Sequence, residues 1–254
     1  MIEHNTLIYD MSNDDYHAHQ AISSSNCKDL LKSPWSYQHK RDNPTSQTPS
    51  MVFGSLVHAL VLEPSTFEAR YFIADKPKRN TKDGKAKYAE LLQECATRTW
   101  VSRDDYLKAS DMTCSLLASN TANLLLKGGS SEVAIFWQDR ATGIECRAKC
   151  DYINLDAGYI VDLKTTSSLA NEKGFKSTLL KYQYHLSAAM YLEGFSQAIG
   201  SKLDFLFIVI ESAPPYNFGV YKLGVDLLTQ GSGLYRDALA VYKRALDKGT
   251  FKVP

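Results

Sequence analysis

Two aspartates and a lysine stand close together in the middle of this 254-residue sequence. Asp162 and Lys164 are two residues apart in an apolar run that is typical of a β-strand, so their side chains project from the same face. Asp151 lies in the preceding strand-like segment, and a short turn around residues 156–158 would pair the two segments. We therefore expect the two carboxylates to approach each other closely.

This combination of groups suits the metal-assisted hydrolysis of a phosphodiester. Two neighbouring carboxylates repel each other unless a cation lies between them, and hard oxygen ligands select Mg²⁺, Mn²⁺ or Ca²⁺. A metal lowers the pKa of its bound water, while Lys164 could orient the nucleophile or stabilise the pentavalent state. The alternative is a solvated strand face with a weak ion pair, which is the commoner origin of a lone Asp-x-Lys pattern.

A histidine, His58, lies in a helix-like run over residues 51–62 that is otherwise almost entirely apolar. Such a histidine is commonly a core residue whose ring bonds a carbonyl. Gly54, however, lies one turn before it and leaves that face of the helix open to another group. A neutral imidazole at this position could complete the metal shell.

Three polar side chains, Gln183, Ser187 and Tyr191, recur at every fourth residue of a second helix-like segment. A polar stripe normally faces solvent, but the residues between are largely apolar, so this stripe could instead line a cleft and bind phosphate oxygens. Arg147 and Lys149 share the strand face of the first aspartate and join this candidate DNA-binding set.

A basic segment spans residues 76–87, where six lysines and arginines are opposed by Asp83 alone. This local excess of positive charge indicates a surface for a polyanion. The alternative is a loop that only improves solubility. The residues predicted to contact DNA here are Lys76, Lys78, Arg79 and Lys82.

The predicted elements occur in the order helices, three strands, helix, two strands, helix, which indicates one α/β domain over residues 1–254. Residues 1–50 are predicted as an N-terminal helical elaboration and residues 51–254 as the core. The local patterns predict a helix cap at Ser24 or Ser25, a strand over 67–74 and an exposed loop over 76–87. They also predict continuous helices over 88–100, 104–127 and 172–194.

The composition excludes several classes of protein. With 44% hydrophobic and 22% charged residues, the chain can bury a core and is not intrinsically disordered. It contains no uninterrupted apolar run of about 18 residues that would span a membrane. A net charge of +1 means that any polyanion site must come from local clustering. The absence of a secretory signal and the five scattered cysteines predict free thiols and a cytoplasmic location.

Together these segments resemble the RecE-type exonucleases (exonuclease VIII), in the RecB-like branch of the PD-(D/E)xK nuclease superfamily. The resemblance is carried by the run from Tyr16 to Tyr37, by the histidine helix Gly54–Pro64, and by the two aspartates with Asp162-Leu-Lys164. It spans most of the chain. It implies a central mixed β-sheet flanked by helices.

The resemblance also implies roles for individual residues at the metal. His58, Asp151 and Asp162 would bind a divalent cation, with the Leu163 carbonyl as a further ligand. Lys164 would assist the attacking water.

Two further positions match the family less closely. Glu132 matches an acidic position that helps to hold metal or water in related nucleases. Tyr191 matches the tyrosine of a glutamine–tyrosine helix motif, whose glutamine is replaced here by Ser187. Gln183, one turn earlier, could substitute for that glutamine.

The activity that the resemblance implies is Mg²⁺-dependent degradation of linear duplex DNA in the 5′→3′ direction, with Mn²⁺ as a substitute metal. The product would be a 3′ single strand for a RecT-like annealing partner. A ring-shaped homo-oligomer, a trimer or tetramer threaded by DNA, is also implied. Two alternatives stay open: another RecB-like nuclease (a single-strand exonuclease or a structure-specific endonuclease), and a non-catalytic DNA-binding protein on a nuclease scaffold.

Overall fold

A mixed five-stranded sheet forms the centre of the computed structural model, which describes residues 3–252. The strands are β1 Tyr71–Ile73, β2 Thr99–Val101, β3 Ser130–Gln138, β4 Glu145–Asn154, β5 Tyr159–Thr166, β6 Asp204–Glu211 and β7 Phe218–Lys222. In the central sheet β3 to β7 lie side by side in chain order, with β5 and β6 parallel and the other pairs antiparallel. The predicted mixed sheet flanked by helices is confirmed.

Helices cover both faces of this sheet and make up most of the first half of the chain. They are α1 Asn13–Ala18, α2 Ser24–Lys32, α3 Pro34–Asp42, α4 Pro49–Leu62, α5 Phe67–Arg70, α6 Lys82–Cys95, α7 Arg103–Leu117, α8 Asn120–Leu125, α9 Glu172–Lys181, α10 Tyr184–Ile199 and α11 Val225–Asp247. Within residues 3–252, none of them is long and apolar enough to cross a membrane.

Two apolar cores lie on opposite faces of the sheet, and alternate residues of each central strand enter them. On β5, Ile160 packs in the core built with α2, α10 and α11, whereas Val161 and Leu163 pack in the core built with α4 and α7. Because both faces are covered, the buried strands read as nearly continuous apolar runs.

The N-terminal segment does more than add helices, because it also pairs with the sheet. Ile8 exchanges two backbone hydrogen bonds with Ala134 of β3, and Ile22 bridges the backbone of β4 on either side of Cys146. These contacts cover strand edges that would otherwise expose unpaired backbone groups. The cap of α2 is Ser23 rather than the predicted Ser24 or Ser25, since Ser23 and Asn26 form a reciprocal capping box.

The predictions for residues 67–100 are partly wrong. The predicted strand over 67–74 is a helical turn, α5, followed by the three-residue strand β1. The predicted helix over 88–100 ends at Cys95, and Thr99–Val101 pairs in parallel with β1. The predicted loop over 76–87 becomes helical at Lys82, because the Thr81 hydroxyl accepts from the Gly84 amide and caps α6.

Two predicted long helices are each split in two. The first breaks between α7 and α8, where the Ser119 amide donates to the Leu116 carbonyl. The second breaks between α9 and α10, where Gln183 takes a left-handed conformation (φ 52°, ψ 45°). Its amide donates to the Leu180 carbonyl, so a left-handed residue ends α9 in the way glycine usually does.

Candidate active site

Strands β4 and β5 are paired at one end and diverge at the other. Their last backbone pair is Tyr152 opposite Val161, and Asp151 and Asp162 are the next residue of each strand. Beyond that pair the Asp151 carboxylate, rather than a backbone carbonyl, accepts from the Leu163 amide at 2.7 Å. We call this point the strand fork; the two predicted aspartates are the first residues beyond the last backbone pair of β4 and β5.

A second carboxylate and an imidazole converge on Asp151 at the strand fork. His58 on α4, Glu132 on β3 and Asp151 on β4 each offer one ligand atom, and these atoms lie within 4.8 Å of one another. The distance between His58 Nδ1 and Asp151 Oδ2 is 3.6 Å. Three separate elements therefore deliver two oxygen donors and one nitrogen donor to one point.

Glu132 reaches this point through an unusual backbone conformation. Its φ of 55° is one that non-glycine residues rarely adopt. It lies between Ser131 and Val133, which pair with Tyr152 and Cys150 of β4, so it stands opposite Asp151 in the register. Glu132 is one of the three converging residues. Strained backbone conformations of this kind are common at functional sites.

Asp162, which is buried, and Lys164, which is half-buried, form an ion pair beside this group. The Lys164 ammonium also lies 5.4 Å from the centroid of the Tyr184 ring. Burial by itself would lower the pKa of Lys164, but the charges of Asp162 and Asp151 outweigh it and raise that pKa above the ordinary value. Lys164 is therefore a fixed cation at any physiological pH.

The carboxylates of the site attract a divalent cation, because the neighbouring imidazole does not neutralise them. Burial raises the pKa of Asp151 and of Glu132, and their mutual repulsion raises the pKa of Glu132 further. Burial and the Lys164 charge lower the pKa of His58, so its ring is neutral near pH 7 and does not neutralise Asp151. A neutral imidazole with two half-buried carboxylates is a donor set that fits a divalent metal.

Comparison with known proteins identifies the family. The PDDEXK-like domain of unknown function (DUF3799) matches residues 23–252. The chain belongs to this family. The strand fork therefore occurs in a protein whose fold is that of PD-(D/E)xK nucleases, and no curated protein matches the sequence.

One solved structure agrees on the fold of this PDDEXK-like domain. A crystal structure named "Putative exonuclease", from Eubacterium rectale, is 14% identical over 95% of this chain and 88% of its own, with a TM-score of 0.69. A phage related exonuclease from Haemophilus somnus is 9% identical over 92% of this chain and 99% of its own, but its TM-score of 0.39 is too low to carry an argument.

The predicted basic residues on β4 hold the N-terminal segment of the PDDEXK-like domain. The Arg147 guanidinium is buried, donates to the Tyr16 carbonyl and lies 4.7 Å from the centroid of that ring. Lys149 donates to the Met11 carbonyl at 3.1 Å and pairs with Glu132 at 3.1 Å. Both residues line a cleft of about 320 Å³ next to the site, and both are already engaged in contacts within the protein.

The predicted polar stripe does not form as one line. Gln183 precedes α10 and stands outside the helix, whereas Ser187 is buried within it. Tyr191 does line the cleft beside Glu132, together with Ser24 of α2. Of the three residues, the structure thus places Tyr191 at the candidate site.

Two adjoining clefts connect the strand fork to the basic segment. The first, about 600 Å³, runs from Glu132 past Gln47 and Val52. The second shares Gln47 and Val52 and reaches Lys76 and Trp100. A strand of DNA that follows these clefts from the site would meet the basic segment.

Two cations of the basic segment lie over aromatic rings. The Lys76 ammonium lies 5.4 Å from the Trp100 ring, and the Arg79 guanidinium lies 4.6 Å from the Tyr88 ring. The four residues predicted to contact DNA here are Lys76, Lys78, Arg79 and Lys82, and all four are exposed.

Two residues beside the site, Lys28 and Tyr184, were not predicted from the sequence. Lys28 lies on α2, and its ammonium is 5.5 Å from the Tyr184 ring on the α10 side of the site. Lys28 follows the run of serines at 23–25 by three residues, and no periodic pattern of the sequence distinguishes it from a surface lysine. The face of α4 at Gly54 is approached by the Thr165 hydroxyl, which would lie 3.6 Å from a Cβ at that position; this is an ordinary contact, so a small side chain would also fit there.

Proposed function

We propose that this PDDEXK-like domain is a metal-dependent nuclease that hydrolyses phosphodiester bonds of DNA. The observation that carries the proposal is the convergence of ligand atoms of His58, Glu132 and Asp151 within 4.8 Å, beside the ion pair of Asp162 and Lys164. Membership of the PDDEXK-like family supports the same chemistry.

The residues of the strand fork divide the work. His58, Glu132 and Asp151 would hold a divalent cation, with Asp162 and the Leu163 carbonyl as the further ligands. When bound, the cation neutralises charge on the phosphate and makes a water more acidic. Lys164 holds a positive charge next to the reacting phosphate, and its ion pair with Asp162 fixes the position of that charge.

The substrate we propose is linear double-stranded DNA, degraded from the 5′ end with Mg²⁺, or Mn²⁺ in its place. The resemblance to RecE-type exonucleases supports this direction and the 3′ single-stranded product, which a RecT-like annealing protein would take up. The clefts that lead from Glu132 to Lys76 support a path for a strand. Residues 1–254 would act as a single nuclease domain.

We also propose a homo-oligomeric ring around the DNA. A chain with a net charge of +1 attracts a polyanion weakly as a monomer. In a ring, the basic groups of several copies would line one lumen. If light scattering shows a monomer and that monomer degrades DNA with full processivity, the ring is disproved.

The proposed activity is tested by a time course on linear duplex DNA labelled at either the 5′ or the 3′ end. We expect mononucleotides to be released from the 5′ label with Mg²⁺, none to be released with EDTA, and a closed circular duplex to stay intact. Cutting of the circle would identify an endonuclease instead. DNA binding without Mg²⁺-dependent cleavage would identify a non-catalytic scaffold.

A further inference from the structure

Two stacked tyrosines stand at the junction of α9 and α10. Tyr182 and Tyr184 have ring centroids 5.7 Å apart and nearly parallel planes, at 24°. The left-handed conformation of Gln183 between them turns the chain, which places both rings on one side of the junction. Tyr182 is 50% exposed, so the stack begins at the surface and leads inward.

The inner ring of this stack belongs to the candidate active site. The ammonium groups of Lys164 and Lys28 lie 5.4 Å and 5.5 Å from the centroid of Tyr184. The exposed ring of Tyr182 therefore stacks directly on Tyr184, the ring that lies beside Lys164. A nucleobase on Tyr182 would belong to a nucleotide close to the reacting phosphate.

The cations around the stack are placed for a nucleic acid backbone. The Lys181 ammonium lies 5.2 Å from the Tyr182 ring. Burial and repulsion from Lys164 lower the pKa of Lys28 to about 8, because its charge is only partly balanced by the protein. A phosphate beside Lys28 would supply the missing negative charge.

We propose that the α9–α10 junction is a binding subsite for an unpaired nucleotide, with the base stacked on Tyr182 and its phosphate beside Lys28. The subsite rests on the proposed function, because it serves the strand that enters the strand fork. Base–aromatic stacking is worth more than an exposed cation–π contact. A base that displaces Lys181 from the ring therefore gains energy, and the freed ammonium becomes available to a phosphate.

An unpaired strand fits this subsite better than a duplex. A base inside a duplex already stacks on its neighbours on both faces and offers no face to Tyr182, and a terminal base offers only its outer face. A base that has left the duplex offers one, and every base has such a face. The subsite would therefore bind single-stranded DNA without sequence preference and would hold the end of a strand as it separates.

The test is the binding of a single-stranded oligonucleotide that carries 2-aminopurine, measured with EDTA so that no strand is cleaved. We expect wild-type protein to quench the fluorescence of the stacked base. Tyr182→Leu should weaken binding about tenfold and abolish the quenching, whereas Tyr182→Phe should retain both. The matched control is Trp35→Leu, because Trp35 is also exposed and has a lysine, Lys252, 5.2 Å from its ring.

Lys28→Met provides a second variant that does not alter the stack. It should lower the slope of log affinity against log salt concentration by about 0.7. The subsite is disproved if Tyr182→Leu binds and quenches like the wild type. It is also disproved if Trp35→Leu loses as much affinity as Tyr182→Leu, since any exposed aromatic would then serve.

Failure of the subsite and failure of the proposed function give different results. If Tyr182-dependent quenching is observed but Mg²⁺ produces no cleavage, the nuclease proposal fails and the nucleotide subsite stands. If cleavage is observed and Tyr182→Leu binds normally, the subsite alone fails.

Discussion

The strand fork and the basic segment both carry concentrated charge, but they hold it in opposite ways. At the strand fork, the buried Asp162 pairs with the half-buried Lys164, and the Asp151 carboxylate accepts a hydrogen bond from a backbone amide. In the basic segment, lysines and arginines lie at the surface over aromatic rings. Buried charges act strongly and are little screened by salt, whereas surface charges act weakly and are screened within about 10 Å at 0.1 M salt.

This difference separates two functions. The strand fork has a fixed geometry that can stabilise charge developing on one phosphate. In the proposed function, the basic segment would raise the local concentration of a polyanion through the summed charge of several residues. Substitutions at the strand fork should therefore change the rate of cleavage, and substitutions in the basic segment should change affinity and its dependence on salt.

The largest effect is expected for Asp162→Asn. The substitution keeps the size of the side chain and removes a negative charge from the proposed metal shell, so cleavage should fall by about 1,000-fold or more while the fold is retained. Cleavage is measured on linear duplex DNA, and circular dichroism checks the fold. Asp156→Asn, in the exposed turn between β4 and β5, is the matched control. Near-wild-type rates for Asp162→Asn would show that the site is wrongly assigned.

The next effect is expected for Lys164→Ala, which should lower turnover by about 100-fold and leave metal affinity intact. Lys164 stabilises charge on the phosphate and is not a metal ligand, so Mn²⁺ titration should give an affinity close to that of the wild type. Lys164→Gln preserves more of the buried packing and guards against loss of the fold. Lys222→Ala removes an exposed, paired lysine as the control. An equal loss of metal affinity would indicate that Lys164 is only structural.

A smaller effect, on stability, is expected for Lys28, which lies beside the strand fork but lacks the full compensation that Lys164 has. Its folded-state pKa is lowered from 10.5 to about 8, so between these values the unfolded chain binds more protons than the folded one. The destabilisation is complete below pH 8 and is relieved as the pH rises towards 10.5. Lys28→Met should therefore be more stable than the wild type by on the order of 1 kcal/mol at pH 7.

The measurement for Lys28 is urea unfolding of both proteins at pH 7 and at pH 10. Because methionine does not titrate, the other groups cancel in the difference. The advantage of Lys28→Met should shrink at the higher pH. A difference that does not vary with pH would mean that the Lys28 charge is already balanced in the folded protein.

The smallest effect per residue is expected in the basic segment. Reversing Lys76, Lys78 and Arg79 to glutamate should weaken duplex binding and flatten its salt dependence, by about 0.9 in slope for each phosphate that the protein no longer neutralises. The same reversal at Lys243 and Lys248 of the C-terminal region is the control. An unchanged slope would show that the basic segment does not contact DNA and that the contrast with the strand fork is not functional.

Strand periodicity was sufficient to predict that Asp162 and Lys164 lie side by side at the strand fork. Alternation placed Asp162 and Lys164 on one face of β5, and the fold class followed from the order of elements. Periodicity failed where one residue breaks a regular pattern. Gln183 has a left-handed backbone conformation that splits a predicted helix. Glutamine has no intrinsic preference for that conformation, so the residue type could not predict the break.

The sequence by itself determined which residues share a face and which segments can be buried, since both depend on the period of the local backbone. Only the tertiary structure decided which faces meet. The pairing of β1 with β2, the docking of the N-terminal segment on β3 and β4, and the approach of His58 and Glu132 to Asp151 join residues far apart in the chain. Such contacts depend on the packing of the whole core, which no local spacing records.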